Sequence, residues 1–257
     1  MNEISVVILT KNEEKNIEDC INSIPKSWEI VLIDDKSTDN TLQKAKSVRQ
    51  NTKIYLRSLE NDFASQRNFG LKNATRDWVL FLDADERLNS KLVDELEKCT
   101  RQNIRIAFKI RRRDHMWGTT LEHGELANIW LTRFARKGSG LWNGHVHETW
   151  DVGNRVSRLE STLDHYPHQT IYEFLKEINY YSTIRSQELH DKNTKNSRFD
   201  IFVYPVAKFI QNYVFRKGFK DGIPGLIYAV LMSFHSFLVR GKLIAKKKVI
   251  FLQDTNK

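Results

Sequence analysis

The sequence predicts an α/β fold, doubly wound around a parallel sheet, with a C-terminal helical extension. Three observations predict it. Short apolar runs at 4–9, 28–33, 53–57 and 78–82 alternate with segments of helical period, the pattern of strands joined by crossover helices. Three of those runs end in polar or acidic residues, Asn12-Glu13, Asp34-Asp35 and Asp83-Ala-Asp85, and ligands in such sheets sit beyond the carboxyl ends of the strands. From Phe199 to Leu252 the chain instead interleaves aromatic, aliphatic and basic residues.

Ile4-Ser-Val-Val-Ile-Leu9 is rich in β-branched residues and reads as the first strand, and Asn16 to Ile24 as an amphipathic helix that Pro25 ends. Trp28–Ile33 is a second buried strand. The helix Thr41–Val48 follows it, with Ser37, Thr38 or Asp39 available as N-cap. Lys53–Arg57 is a third strand, about Phe63 to Asn73 a helix, and Trp78–Leu82 the fourth strand. Beyond it, Arg105–Arg113 and Ile129–Arg136 are further strands, with a loop at Asp114–Gly118 between them. Tyr172–Asp191 is a helix whose apolar side turns toward the preceding domain, and 193–197 a hinge. The expected division is therefore 1–192, in halves 1–100 and 101–192, followed by a basic, aromatic helical region at 193–257.

The 257 residues, 40% hydrophobic and 28% charged, suffice for a sizeable core and are far from a disordered composition. Cys20 and Cys99 make no disulfide framework, and the N-terminus lacks a basic region followed by an apolar one. Both features fit a cytoplasmic protein. The net charge of +9 is uneven: residues 1–200 hold 31 Lys/Arg against 30 Asp/Glu, and residues 201–257 hold 10 against 2. No nucleic-acid motif accompanies those cations, so a nucleic-acid partner is not expected.

Asp83 and Asp85, one residue apart at a strand exit, can hold a divalent cation whose other ligands are phosphate oxygens and water. The alternative is an acidic turn capping the helix begun by Asn89-Ser90. The turn after the first strand, Thr10-Lys-Asn-Glu13, has no glycine and the chain has no P-loop, which argues against NAD, FAD or Walker-type sites.

Val6-Val-Ile-Leu-Thr10-Lys-Asn12-Glu13, Glu29-Ile-Val-Leu-Ile-Asp34-Asp35-Lys-Ser37-Thr-Asp39, Ala64-Ser-Gln-Arg67-Asn68-Phe-Gly70 and Val79-Leu-Phe-Leu-Asp83-Ala-Asp85-Glu86 resemble family 2 glycosyltransferases of GT-A fold over residues 4 to about 95. The resemblance implies inverting transfer from a nucleotide-sugar, with Thr10, Asn12, Glu13 and Asp35 approaching the base and ribose. It also implies Asp83 near the ribose and Asp85 on Mn²⁺ or Mg²⁺. Arg67 and Asn68 match an Arg-Asn pair that either touches the donor or braces the sheet edge.

In the second half, Leu141-Trp-Asn-Gly144-His145-Val-His147-Glu148-Thr-Trp150 is the most informative stretch. Inverting transfer needs a base for the acceptor hydroxyl proton, which one carboxylate supplies. Glu148 is the candidate, with His147 or His145 as neighbour and tryptophans to stack on sugar rings. A metal role for His145, His147 or His165 is also open, since imidazoles commonly bind metals. The arginine run ending at Arg113 is either a solvated face or a receiver of an acidic acceptor.

Arg133-Phe, His145-x-His147-Glu148, Leu163-x-His165-Tyr166, Lys176 and Tyr213-x-Phe-x-Lys217-Gly218-Phe219-x-Asp221-Gly222 resemble the lipopolysaccharide-core β-1,4-glucosyltransferase subfamily. That implies a UDP-glucose donor and a lipid-linked or surface-polysaccharide acceptor.

In the tail, Ile223–Val239 is a mostly apolar stretch of 17 residues. About 20 are needed to span a membrane, so an interfacial helix pair on the inner membrane face is expected rather than a span. Packing against a second subunit is the alternative. Two other functions stay open: a nucleotidyltransferase using a sheet-edge metal, and a non-catalytic nucleotide-sugar or membrane-binding module.

Overall fold

A computed structural model describes residues 4–60, 62–101, 107–144, 148–167, 169–194 and 197–254, with side chains to 246. The chain forms two compact units, Met1–Arg113 with Asn128–His165, and Asp114–Ala127 with Tyr166–Lys257. The structure thus divides the chain after His165, where the sequence suggested 192.

In the first unit, strands β1 (Ile4–Thr10), β2 (Glu29–Asp34), β3 (Lys53–Leu56) and β4 (Trp78–Asp83) alternate with helices α1 (Ile17–Asn22), α2 (Thr41–Val48) and α3 (Phe63–Asn73). After a short β5 (Glu86–Arg87) and α4 (Ser90–Arg101) come β6 (Ala107–Met116), whose end enters the second unit, β7 (Thr119–Leu121) and β8 (Trp130–Arg136). The hairpin of β9 (Leu141–Asn143) and β10 (Thr149–Asp151) and the long β11 (Val156–His165) follow. The sheet runs β3-β2-β1-β4-β8-β6-β11-β5. β1 pairs in parallel with β2 and β4, and β2 with β3, while β8 joins β4 and β6 antiparallel.

The central strands are apolar on both faces because helices cover both. Alternate residues point to opposite sides. Ile4, Val6, Ile8, Leu32, Trp78, Leu80 and Leu82 pack with Ile17, Cys20, Ile21, Leu92 and Leu96 of α1 and α4. Val7, Val31, Ile33, Val79 and Phe81 pack with Ala64 and Leu71 of α3 and with Trp142 and Trp150 of the hairpin. Gly70 sits where α3 crosses β1: a Cβ there would stand 2.3 Å from Val7 Cγ1.

β11 was not expected as a strand. It has no continuous apolar run, and its burial alternates irregularly, so period-2 reasoning has little to grip.

In the second unit, Trp117 and Gly118 both have positive φ (51° and 77°) and close a two-residue hairpin between the end of β6 and β7, where the sequence suggested an open loop. The helices are α5 (Ile171–Asp191), α6 (Asp200–Ile210) and α7 (Gly222–Asp254). α5 starts at a capping box of Thr170 and Glu173, and within its unit it packs on α7 through Leu189 against Val239 and Leu243. Residues 193–197, the expected hinge, include two outside the described set.

The motif around Asp221 is a fold device. Gly218 lies against the Asn212 carbonyl and Gly225 against that of Gly218, too close for any Cβ. The turn so formed delivers Asp221, which accepts from the His123 backbone N–H (2.9 Å) and pairs with His123 Nδ1 (2.7 Å).

Candidate active site

The register of β1 with its neighbours sets the site. Thr10 is opposite Asp34, and Leu9 is opposite Asp83, so the polar ends of three strands reach the same edge. At that edge the chain is held by side chains acting as turn anchors. Asn12, at φ 54°, accepts the Thr38 N–H (2.8 Å) and donates its own N–H to Ser37 Oγ (2.8 Å). The Glu13 N–H donates to Thr41 Oγ1 (2.8 Å). Buried Asp34 accepts from the Ser37 N–H and hydroxyl.

Asp35 accepts from Lys11 Nζ (2.7 Å) and the Leu59 N–H (2.9 Å). Burial works to raise its carboxyl, but the Lys11 and Leu59 hydrogen bonds and the Lys11 and Lys36 charges hold it below the usual range. Burial pushes the Glu13 carboxyl up to about 7, against a hydrogen bond from Asn16 and with help from Asp85, Asp39 and Asp83. Glu13 is therefore partly protonated near neutrality and can donate as well as accept. Thr10 is buried and its hydroxyl has no hydrogen-bond partner among the described residues, while its carbonyl accepts the Asp35 N–H.

The centre of the site is a cluster of charges around Asp83. Arg67, 5% exposed on α3, donates from Nη2 to Asp83 Oδ1 (2.9 Å) and from Nε to Glu148 Oε1 (2.8 Å). Its guanidinium lies over the Trp142 ring at 4.7 Å. Arg133, from β8, donates to Asp83 Oδ2 (2.5 Å) and, at 3.4 Å, to Glu86. Burial would raise Asp83, but the Arg133 and Arg67 guanidiniums outweigh it and hold the carboxyl well below the usual carboxylate range. Glu86, fully buried and accepting the Asp83 N–H (2.9 Å), is raised by burial and by the Asp83 and Asp85 charges, against Arg133 and His165.

Asp83 is thus committed to two arginines, and Asp85 turns elsewhere, its Oδ2 lying 3.2 Å from His165 Nε2 at the end of β11. Among the described residues no group of three or more His, Cys, Asp and Glu could hold a metal ion. His145 and His147 lie outside the described residues.

Glu148 enters this cluster because the β9–β10 hairpin is docked on α3. Asn68 donates Nδ2–H to the Trp142 carbonyl and accepts the Trp142 N–H, both at 2.9 Å. The Arg-Asn pair of α3 therefore braces the edge: Arg67 binds the carboxylates and Asn68 binds the hairpin. Trp142 and Trp150 are buried, stacked on each other at 5.6 Å and edge-on to Phe81. That corrects the expectation that they stack on sugar rings, since the hairpin spends them on its own core. Arg113 forms an ion pair with Asp164 (2.7 Å).

Arg133 and Glu86 complete the cluster, and neither stands among the site residues that the motifs point to. The signal was a single arginine inside the otherwise apolar or neutral strand Trp130–Ala135: a charge in a buried strand requires a charged partner, and Asp83 and Glu86 are the partners.

The model of the family described as "Glycosyl transferase family 2" matches residues 5–174. The lipopolysaccharide core biosynthesis glycosyltransferase LpsC of Rhizobium meliloti is 29% identical over 253 residues, 93% of this chain and 91% of that protein. An uncharacterised glycosyltransferase of Rickettsia typhi is 27% identical over 257 residues, 95% and 87% of the two chains. The crystal structure of S. aureus TarS 1–349 in complex with UDP-GlcNAc superposes with a TM-score of 0.51 at 17% identity, covering 96% of this chain and 92% of that one. That likeness places the fold in the GT-A class. With a family model covering most of the chain and acidic strand ends brought to one edge, this protein belongs to glycosyl transferase family 2 and is a glycosyltransferase.

Proposed function

We propose that the protein transfers a sugar, glucose by its resemblance to core glucosyltransferases, from a UDP-sugar to a hydroxyl of a lipid-linked or surface-polysaccharide acceptor, with inversion. The name of LpsC supports this acceptor class, and the UDP-GlcNAc of TarS a UDP donor. One observation carries the chemistry: Arg67 bridges Asp83 and Glu148, residues far apart in sequence, so the candidate base stands beside the donor-side acids.

In this reading Asn12, Glu13 and Asp35 line the nucleotide side. Asp83, 33% exposed although ion-paired, offers its open side to the ribose. Asp85 and His165, 3.2 Å apart, would hold a divalent cation, Mn²⁺ or Mg²⁺, as its one carboxylate and one imidazole ligand from the protein. Such a cation offsets charge on the departing diphosphate. Glu148 takes the proton of the acceptor hydroxyl as its oxygen bonds to the anomeric carbon. In the same displacement the anomeric C–O bond to the diphosphate breaks, its electron pair passes to the diphosphate oxygen, and UDP leaves on the opposite face.

Replacing Glu148 with Gln tests the assignment. The expected result is kcat lower by about 10²–10⁴-fold, with UDP binding measured calorimetrically unchanged. An unchanged kcat would move the base elsewhere.

A further inference from the structure

The second unit exposes a large apolar surface. On α7, Ile223, Leu226, Val230, Phe234 and Phe237 are all exposed, at spacings of three and four that set them on one face. On α6 no residue is buried, and Phe202, Val206 and Ile210 are exposed as well. The turn joining the two helices is the most prominent part: Phe215 is 77% and Ile223 73% exposed, with Phe219 between them. Arg216, Lys217 and Lys220 alternate with these side chains and are exposed as well. From Gln211 to Lys246 the one carboxylate is Asp221, and it is turned inward onto His123. Glu125, packed beside the turn, is held by Lys208 at 2.6 Å and lies 3.9 Å from Arg216, which leaves Lys217 and Lys220 as the turn's cations without an ion-paired carboxylate among the described residues.

We infer that the α6–α7 turn and the exposed stripe of α7 dock on an anionic lipid bilayer, with Phe215, Phe219 and Ile223 entering the headgroup region and Arg216, Lys217 and Lys220 meeting lipid phosphates. This deepens the reading of a lipid-linked acceptor given above and rests on it for its purpose, but not for its physics. Apolar side chains ringed by cations fit an anionic interface. A second copy of the same surface would set like charges against each other.

The stretch Gly218–Lys246, 29 residues containing an 18-residue window of mean hydropathy 1.6, is long and apolar enough to cross a membrane by length and composition, but its packing opposes a span. α5 accompanies α7 from the Phe174–Tyr228 ring contact to Lys242, whose Nζ donates to the Asn179 carbonyl and the Ser182 and Thr183 hydroxyls. A spanning α7 would draw the Arg185–Glu188 pair and other charges of α5 into hydrocarbon. Lying in the interface leaves them in water.

The test is sedimentation of the full chain with phosphatidylcholine vesicles containing phosphatidylglycerol, and with pure phosphatidylcholine vesicles, alongside transfer to a water-soluble acceptor. Binding is expected only to the anionic vesicles. It should weaken about fivefold for each cation removed in R216Q/K220Q, and at least tenfold in F215S/F219S/I223S, with soluble transfer unchanged in both. Absence of binding to anionic vesicles by a wild-type chain that transfers sugar overturns this inference and leaves the transfer reading standing. So does a wild-type dimer in light scattering that F215S/F219S/I223S converts to monomer. Vesicle binding without transfer has the opposite meaning.

Discussion

Arg67 holds two carboxylates through two different nitrogens, so Arg67→Lys separates charge from geometry. The lysine keeps the positive charge, but a single ammonium cannot reproduce the fork that reaches Asp83 from Nη2 and Glu148 from Nε. Breaking a buried pair outright costs about 3–5 kcal/mol. Here the charge stays and Arg133 still neutralises Asp83, so the expected loss of stability is about 1–2 kcal/mol. The loss of the guanidinium plane over Trp142 adds about 0.5–1 kcal/mol. Catalysis should suffer more than stability, because a base displaced by about 1 Å costs on the order of 10²-fold in rate. The assay is steady-state transfer with the donor saturating, together with thermal unfolding and UDP titration. We expect kcat to fall about 10²-fold, with donor affinity within about threefold of wild type. Wild-type kcat in a folded Arg67→Lys protein would refute the argument that Arg67 positions Glu148.

Asp85→Asn and His165→Ala should each raise the Mn²⁺ concentration needed for half-maximal transfer by at least about tenfold, Asp85→Asn without changing the melting temperature in metal-free buffer; an unaltered metal requirement would place the cation elsewhere. Glu29 fastens β1, β3 and the turn after α3 together, accepting from Ser5, Lys53 and Thr75. Burial works to raise its carboxyl, but those hydrogen bonds lower it from 4.5 to about 2. A carboxyl depressed on folding stabilises above pH 4.5 and loses that contribution as pH falls to 2. The shift corresponds to about 3 kcal/mol unscreened, and with Lys53 44% exposed about 1–2 kcal/mol is expected. Urea unfolding of Glu29→Gln should show this deficit at pH 7 and little of it at pH 2.5. Gly70→Ala should cost about 1–3 kcal/mol by forcing Val7 from its place, and a wild-type melting curve would show that the α3–β1 contact can relax.

The sheet half of the fold was legible in the sequence because buried parallel strands are short apolar runs, and their polar exits mark the ligand edge. β11 and the division after His165 were not, since they depend on pairing and helix packing between distant segments. Within its own unit α5 packs on α7, a pairing its own amphipathic pattern cannot specify.

The sequence by itself determined the family, the edge at which the acids gather and the candidate roles of Glu148 and Asp85. Only the tertiary structure decided which acid meets which cation. Asp83 and Asp85 are one residue apart, yet Asp83 lies between Arg67 and Arg133 while Asp85 faces His165. The physical reason is that a buried charge is tolerated only beside its counter-charge. Those partners come from α3, β8 and β11, whose meeting no local pattern encodes.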